Sequence, residues 1–194
     1  TAPELEVSQP RIYFGESAES QEYVVVNSLQ EEVDYPLSTE GQSVAYTNYS
    51  GQGGVGIGSF FQRLGFSLRY SELNLMISNQ LSDDSKIIME RNVTSRVKKA
   101  APFLYTDNDP YLALIEGDLF WIIDMYTVSD KYPYAQPADT RRINERSGLP
   151  MNFNYIRNSV KAVVNAYDGT MKFYVFDEAD PLIQSYANIF PSLF

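Results

Sequence analysis

The sequence predicts an α+β fold, an antiparallel sheet built from hairpins with several helices packed against it. Three observations carry this. Gly117-Asp118 and Asp168-Gly169 are two-residue turn signals, each set between runs rich in β-branched and aromatic residues. Residues 59–101 instead space their apolar side chains at helical intervals. Turns are short and no regular βαβ alternation exists, which argues against a parallel sheet.

The first ten residues hold two prolines and read as an extended lead-in. Residues 11–16 and 22–27 read as strands, and 31–36 as a short edge strand, because Pro36 cannot donate to a ladder. Residues 38–57 are poor in aliphatics, close on Gly51, Gly53, Gly54 and Gly56, and read as a long loop. Ser59 and Gln62 form a capping box, with Phe60, Leu64 and Leu68 recurring behind it and Phe61 beside them. Ser71 is placed to cap a second helix through about Leu81. Residues 86–101 read as a third, with Ile87, Ile88, Val93 and Val97 inward and Arg91, Arg96, Lys98 and Lys99 outward, stopped by Pro102.

The second half turns to sheet. Across Gly117-Asp118, a type II′ loop pairs Phe120 with Ile115 and Trp121 with Leu114, and both faces come out apolar. That hairpin is expected to be central and covered on two sides. Across Asp168-Gly169, a type I′ loop puts Val160, Ala162, Val164, Ala166, Met171, Phe173 and Val175 on one face. The other face carries Lys161, Val163, Asn165, Tyr167, Lys172, Tyr174 and Phe176. Residues 135–150 read as a second long loop. Asp180-Pro181 is an N-cap with proline at the first helical position, opening a last helix. The whole of 1–194 reads as one domain.

The chain has no histidine and no cysteine, which excludes Ser-His-Asp and Cys-His nucleophiles and any His/Cys metal cluster. Its net charge of −10 disfavours nucleic acid and anionic membrane surfaces. No metal and no cofactor is expected. Ser95-Arg-Val-Lys98 matches S-x-x-K, but Lys98 stands in a basic run that should stay solvated. Asp107-Asn-Asp109 lacks the glycine and the twelfth-position acid of an EF-hand, so turn chemistry is its reading. For carboxylate catalysis Asp118 and Asp124 are the first suspects, and a basic partner such as Arg157 or Lys161 would make Asp124 structural. Fifteen tyrosines form an aromatic surplus suited to a contact surface. The proposed members are Tyr132, Tyr134, Tyr167 and Tyr174, with Gly53 and Gly54 as a rim.

A set of longer segments stands out. It includes Arg11-Ile-Tyr-Phe-Gly-Glu16, Gly53-Gly-Val-Gly-Ile-Gly-Ser-Phe60, Val97-Lys-Lys-Ala-Ala-Pro-Phe-Leu104, Ser129-Asp-Lys-Tyr-Pro-Tyr134 and Phe173-Tyr-Val-Phe-Asp177. As a set it resembles the bacterial integral-membrane group known as uncharacterised protein family 0182, across essentially the whole chain. The resemblance implies an extracytoplasmic portion of a polytopic membrane protein, located at the cell membrane. It brings no reaction and no catalytic residues. Thr1 begins with neither an initiator methionine nor a signal peptide, so the chain reads as a piece of something longer. The expected function is an interaction or scaffold module. Its expected partners are the flanking membrane segments of its own chain and an envelope protein or polysaccharide. The rival is an envelope hydrolase or transferase using paired carboxylates.

Overall fold

The computed structural model describes residues 6–17, 23–36, 44–144 and 147–194. Two compact units emerge, Ser20–Glu90, and a second that joins Thr1–Glu19 to Arg91–Phe194. Each is an antiparallel sheet with helices, so the α+β expectation holds.

In the Ser20–Glu90 unit the elements run β1 (Tyr23–Val26), β2 (Glu32–Pro36), β3 (Val44–Thr47), β4 (Val55–Gly56), α1 (Phe60–Tyr70), α2 (Asn74–Ile77) and β5 (Lys86–Met89). A three-stranded sheet has the order β1-β5-β4, and β2 pairs with β3 in a separate ribbon. Ile57, Leu75 and Ile87 form its core, packed by Tyr23, Val25, Phe66 and Tyr70. The expected loop over 38–57 therefore carries two short strands, and its residues 38–43 lie outside the described residues. Gly54 takes φ +92 as the chain enters β4, where a Cβ would press on Lys86 and Ile87.

The capping box forms as read: Gln62 N–H donates to Ser59 Oγ, and Ser59 N–H donates to Gln62 Oε1 at 3.1 Å. Ser71 does not start a helix. It ends α1 in the left-handed region at φ 54, and only the four residues of α2 follow. Residues 86–101 are likewise not one helix. Ile87 and Ile88 are consecutive and both fully buried, which suits a strand covered on two faces. Glu90 then turns to φ 51, and Asn92 caps a new helix by accepting from Ser95 N–H at 2.8 Å.

The second unit holds α3 (Val93–Ala100), β6 (Tyr105–Thr106), β7 (Tyr111–Ile115), β8 (Asp118–Ser129), a 3-10 turn at Thr140–Arg142, β9 (Tyr155–Asn165), β10 (Met171–Val175) and α4 (Pro181–Ile189). Its five-stranded sheet has the order β10-β9-β8-β6, with β7 also on β8. Residues 11–16 form no strand. They are pinned by single bonds: Phe14 N–H to Ala166 O, Gly15 N–H to Arg91 O at 3.0 Å, and an isolated bridge from Gly15 to Asn92. Phe14 is buried, and a Cβ at Gly169 would run into its ring.

Both hairpins form with a register two pairs away from the expected one. Leu112 pairs with Trp121, because Glu116 at φ 53 and Gly117 at φ 91 make the turn, as in type I′. Val164 pairs with Met171, so residues 166–169 form a wider loop around Asp168-Gly169. A slip of two residues preserves facing. Val160, Ala162, Val164, Ala166 and Phe173 are accordingly buried together. The first hairpin is not covered on both sides: β8 is central, but β7 leaves Tyr111, Leu112 and Ile115 exposed. A bulge adds one residue to β9, where Met125 pairs with Val160 and Tyr126 with Asn158. The extra residue is Ser159. Among the described residues no helix is long and apolar enough to cross a membrane.

Candidate functional site

The N-terminus of α4 is tied to the buried face of the five-stranded sheet through its cap. Its cap Asp180 is fully buried, and Leu182 N–H donates to Oδ1 at 2.9 Å. Tyr155 also donates to Oδ1, and the hydroxyls of Thr127 and Ser159 donate to Oδ2. The bulge aims Ser159 at this carboxylate. Burial alone would raise the Asp180 carboxyl, but the three hydroxyls and the backbone amide outweigh it and hold it below the usual range. Burial and the Asp180 hydrogen bond push the Tyr155 phenol up to about 12. This cluster anchors the helix.

The opposite face carries different chemistry. Asp124 pairs across the ladder with Lys161, and their side chains form an ion pair. Asn158 Nδ2 donates to Asp124 Oδ1 at 3.1 Å. Burial opposes ionisation of Asp124, yet the bonds from Lys161 and Asn158 prevail and its carboxyl is lowered. Asp107 lies on the next strand position, its N–H donating to Asp124 O at 3.3 Å. Burial raises the Asp107 carboxyl, and the negative charge of Asp124 adds to that. Tyr126 reaches Asp107 Oδ2 at 3.4 Å. Burial, then the charges of Asp107 and Asp124, raise the Tyr126 phenol. Asp107 Oδ1 and Asn158 Oδ1 are buried with no hydrogen-bond partner among the described residues. Around this polar centre stand exposed Tyr105, Tyr111, Tyr174 and Phe176, with Lys161 Nζ 5.2 Å from the Phe176 ring centroid.

The sequence suspects fall in different places. Asp124 has the basic partner Lys161, the arrangement expected of a structural carboxylate. Asp118 begins β8, six residues away, which is about 20 Å along a strand and too far for paired-carboxylate chemistry. Tyr174 stands on the exposed face opposite Lys161. Tyr132 stacks on Tyr155 at 4.4 Å, on the Asp180 side. Tyr134 is wholly exposed in the following loop, and Tyr167 meets Tyr13 edge-on at 5.4 Å in the hairpin turn. Gly53 and Gly54 belong to the Ser20–Glu90 unit. Asp107, read from the sequence as turn chemistry, was not set beside Asp124, because only the pairing of β6 with β8 brings it there. Lys98 Nζ donates to Asn108 Oδ1 at 3.0 Å, and Ser95 and Lys98 both line a polar cavity of about 350 Å³. Among the described residues no group of three acidic side chains gathers for a metal.

Fold and face together define an α+β unit whose sheet buries one side and presents an aromatic, charge-centred side outward. The chain belongs to the Uncharacterised protein family (UPF0182), whose model matches residues 1–194. It is 46% identical over 198 residues to a UPF0182 protein of Trichodesmium erythraeum, covering 98% of this chain and 21% of that one. It is 45% identical over 191 residues to one of Desulfitobacterium hafniense, covering 98% and 18%. One of Pelotomaculum thermopropionicum is 42% identical over 191 residues, covering 98% and 19%. The chain thus spans about a fifth of the length of the curated relatives it matches. No solved structure matches it.

Proposed function

We propose that this chain is a protein-binding module, held on the extracytoplasmic side of a membrane by flanking segments of a longer protein. Its contact surface is the exposed face of the five-stranded sheet, and its partner is an envelope protein. The supporting observation is the placement of Tyr105, Tyr111, Tyr174 and Phe176 around the Asp124–Lys161 pair. Aromatic rings around a fixed ion pair give the anchors and the orientation that a protein interface needs. The family resemblance supports the membrane setting, and the length of the relatives leaves room for flanking segments. The test replaces Tyr174 in the full-length protein with a photo-crosslinking aromatic and irradiates native membranes. A discrete protein adduct is expected from position 174 and none from the exposed loop position Lys131. No adduct at 174, or the same adducts from both positions, ends this reading.

One observation favours an envelope hydrolase or transferase. Asp107 and Asp124 lie on adjacent strands with carboxyls pushed in opposite directions, as acid and base pairs are. This reading requires the 194-residue chain to cleave an isolated cell-wall preparation and Asp107→Asn to abolish the cleavage. The binding reading requires the crosslink to survive Asp107→Asn.

A further inference from the structure

The polar cavity beside Ser95 is walled by residues that the sheet-face proposal does not use. They are Glu16 from the N-terminal segment, Asn92, Thr94, Ser95 and Lys98 from the cap and first two turns of α3, and Asn108 from the β6–β7 connection. All belong to one compact unit. The wall is held in place. Asn92 Nδ2 donates to Glu16 O at 2.6 Å, and Val93 N–H donates to Gly15 O, which fixes the N-terminal segment against the start of α3. Lys98 is held by Asn108 Oδ1 at 3.0 Å. The N–H groups of Val93 and Ser95 are already taken by Gly15 and Asn92, so the helix end is not what the cavity offers. It offers side chains. One is an acid and one a base, and among the described residues Glu16 and Lys98 form no ion pair with each other. The Lys98 ammonium has three N–H donors, of which Asn108 takes one, and the Glu16 carboxylate only accepts.

We infer that this cavity binds a small zwitterion of the α-amino-acid kind, its ammonium on Glu16 and its carboxylate on Lys98 and the Ser95 or Thr94 hydroxyl. Charge-assisted hydrogen bonds at both ends are the strongest contacts a small polar ligand can make. The volume agrees. At about 30 Å³ for each water-sized group, a cavity of about 350 Å³ holds roughly ten non-hydrogen atoms, the size of a polar amino acid. Other ligand classes match less of the wall. A lone anion would face the like charge of Glu16, and a lone cation that of Lys98. A neutral sugar would leave both charges unanswered, and the described lining holds no aromatic ring for it to stack on. The inference rests on the lining of this cavity and is independent of the sheet-face proposal.

The test is an amide-resolved NMR titration of the 194-residue chain with L-glutamine and its two single-charge relatives. Glutaramate lacks the ammonium, and 4-aminobutanamide lacks the carboxylate. L-Glutamine is expected to shift the amide signals of Glu16, Thr94, Ser95 and Lys98 with a dissociation constant of about 1 mM or tighter. Each relative should bind at least about tenfold more weakly. Glu16→Gln should weaken L-glutamine at least about tenfold and bind glutaramate no more weakly than wild type does. Lys98→Gln should weaken L-glutamine as much and bind 4-aminobutanamide no more weakly. That crossed pattern separates the two charges from any change in fold. The inference is overturned if no shift is confined to these amides up to about 20 mM L-glutamine. Equal binding of either single-charge relative overturns it too, as does tighter binding of inorganic phosphate at the same amides, because the site then takes an anion alone.

Discussion

A buried carboxylate keeps its charge only if donors replace the water it gave up, and at Asp180 three hydroxyls and one backbone N–H do so. Removing the acceptor strands Thr127 and Ser159, both fully buried. Asp180→Ala should cost about 3 kcal/mol in urea unfolding, whereas Asp139→Ala, on the surface, should leave the urea midpoint unchanged. The pH dependence has a fixed sign. Because the folded carboxyl is lowered, its stabilisation is complete above the ordinary carboxylate value and is lost as pH falls through the depressed one. Asp180→Asn should therefore flatten the acid limb of stability below about pH 4. Asp107 has the opposite sign. Its raised carboxyl favours the fold at low pH, and that contribution is lost as pH rises through the raised value. Asp107→Asn should stabilise the protein by up to about 1 kcal/mol at pH 7, the difference vanishing towards pH 3. A destabilised variant at pH 7 would show that the bond from Tyr126 outweighs the burial of the charge.

At the scale of elements, legibility followed locality. The capping box of α1 and the Asp180-Pro181 start of α4 are read within four residues, and both form. Ser59→Ala should cost about 1 kcal/mol, read as a lowered urea midpoint. The hairpin faces were legible because alternation fixes them, and a slip of two residues leaves them intact. The turn itself was not, because a glutamate at φ 53 is poor turn chemistry that the pairing of β7 with β8 overrides. Glu116→Asn should accordingly stabilise the first hairpin by about 0.5 kcal/mol, seen as a higher melting temperature. Strand β5 was hidden because Ile87 and Ile88 fit a helix as well as a strand buried on both faces, and only the turn at Glu90 decides. Of the site, Tyr174, Lys161 and Asp124 were legible from alternation alone. Asp107 and the Ser159 bulge depend on pairing between distant strands, which no local pattern encodes.

For the molecule as a whole, the acidic balance sets what it can meet. A chain at −10 repels acidic surfaces, and the binding reading proposed above gives the rings and ion pair of the exposed sheet face an apolar or basic counterpart. Partition into two units also has a consequence for how the chain can be edited. The sheet-bearing unit is discontinuous in sequence, and its two segments are stitched where Gly15 N–H reaches Arg91 O and Val93 N–H reaches Gly15 O at 3.3 Å. Splicing Ser17 to Arg91 through a short run of small residues should thus leave that unit folded. Trp121 reports the outcome, because its indole N–H donates to Phe14 O at 2.9 Å only while the N-terminal segment is in place. A cooperative fluorescence transition is expected from the spliced chain, and a flat trace would mean that the unit cannot stand without the insert. An insert carried between two stitched segments is open to exchange without rethreading its host.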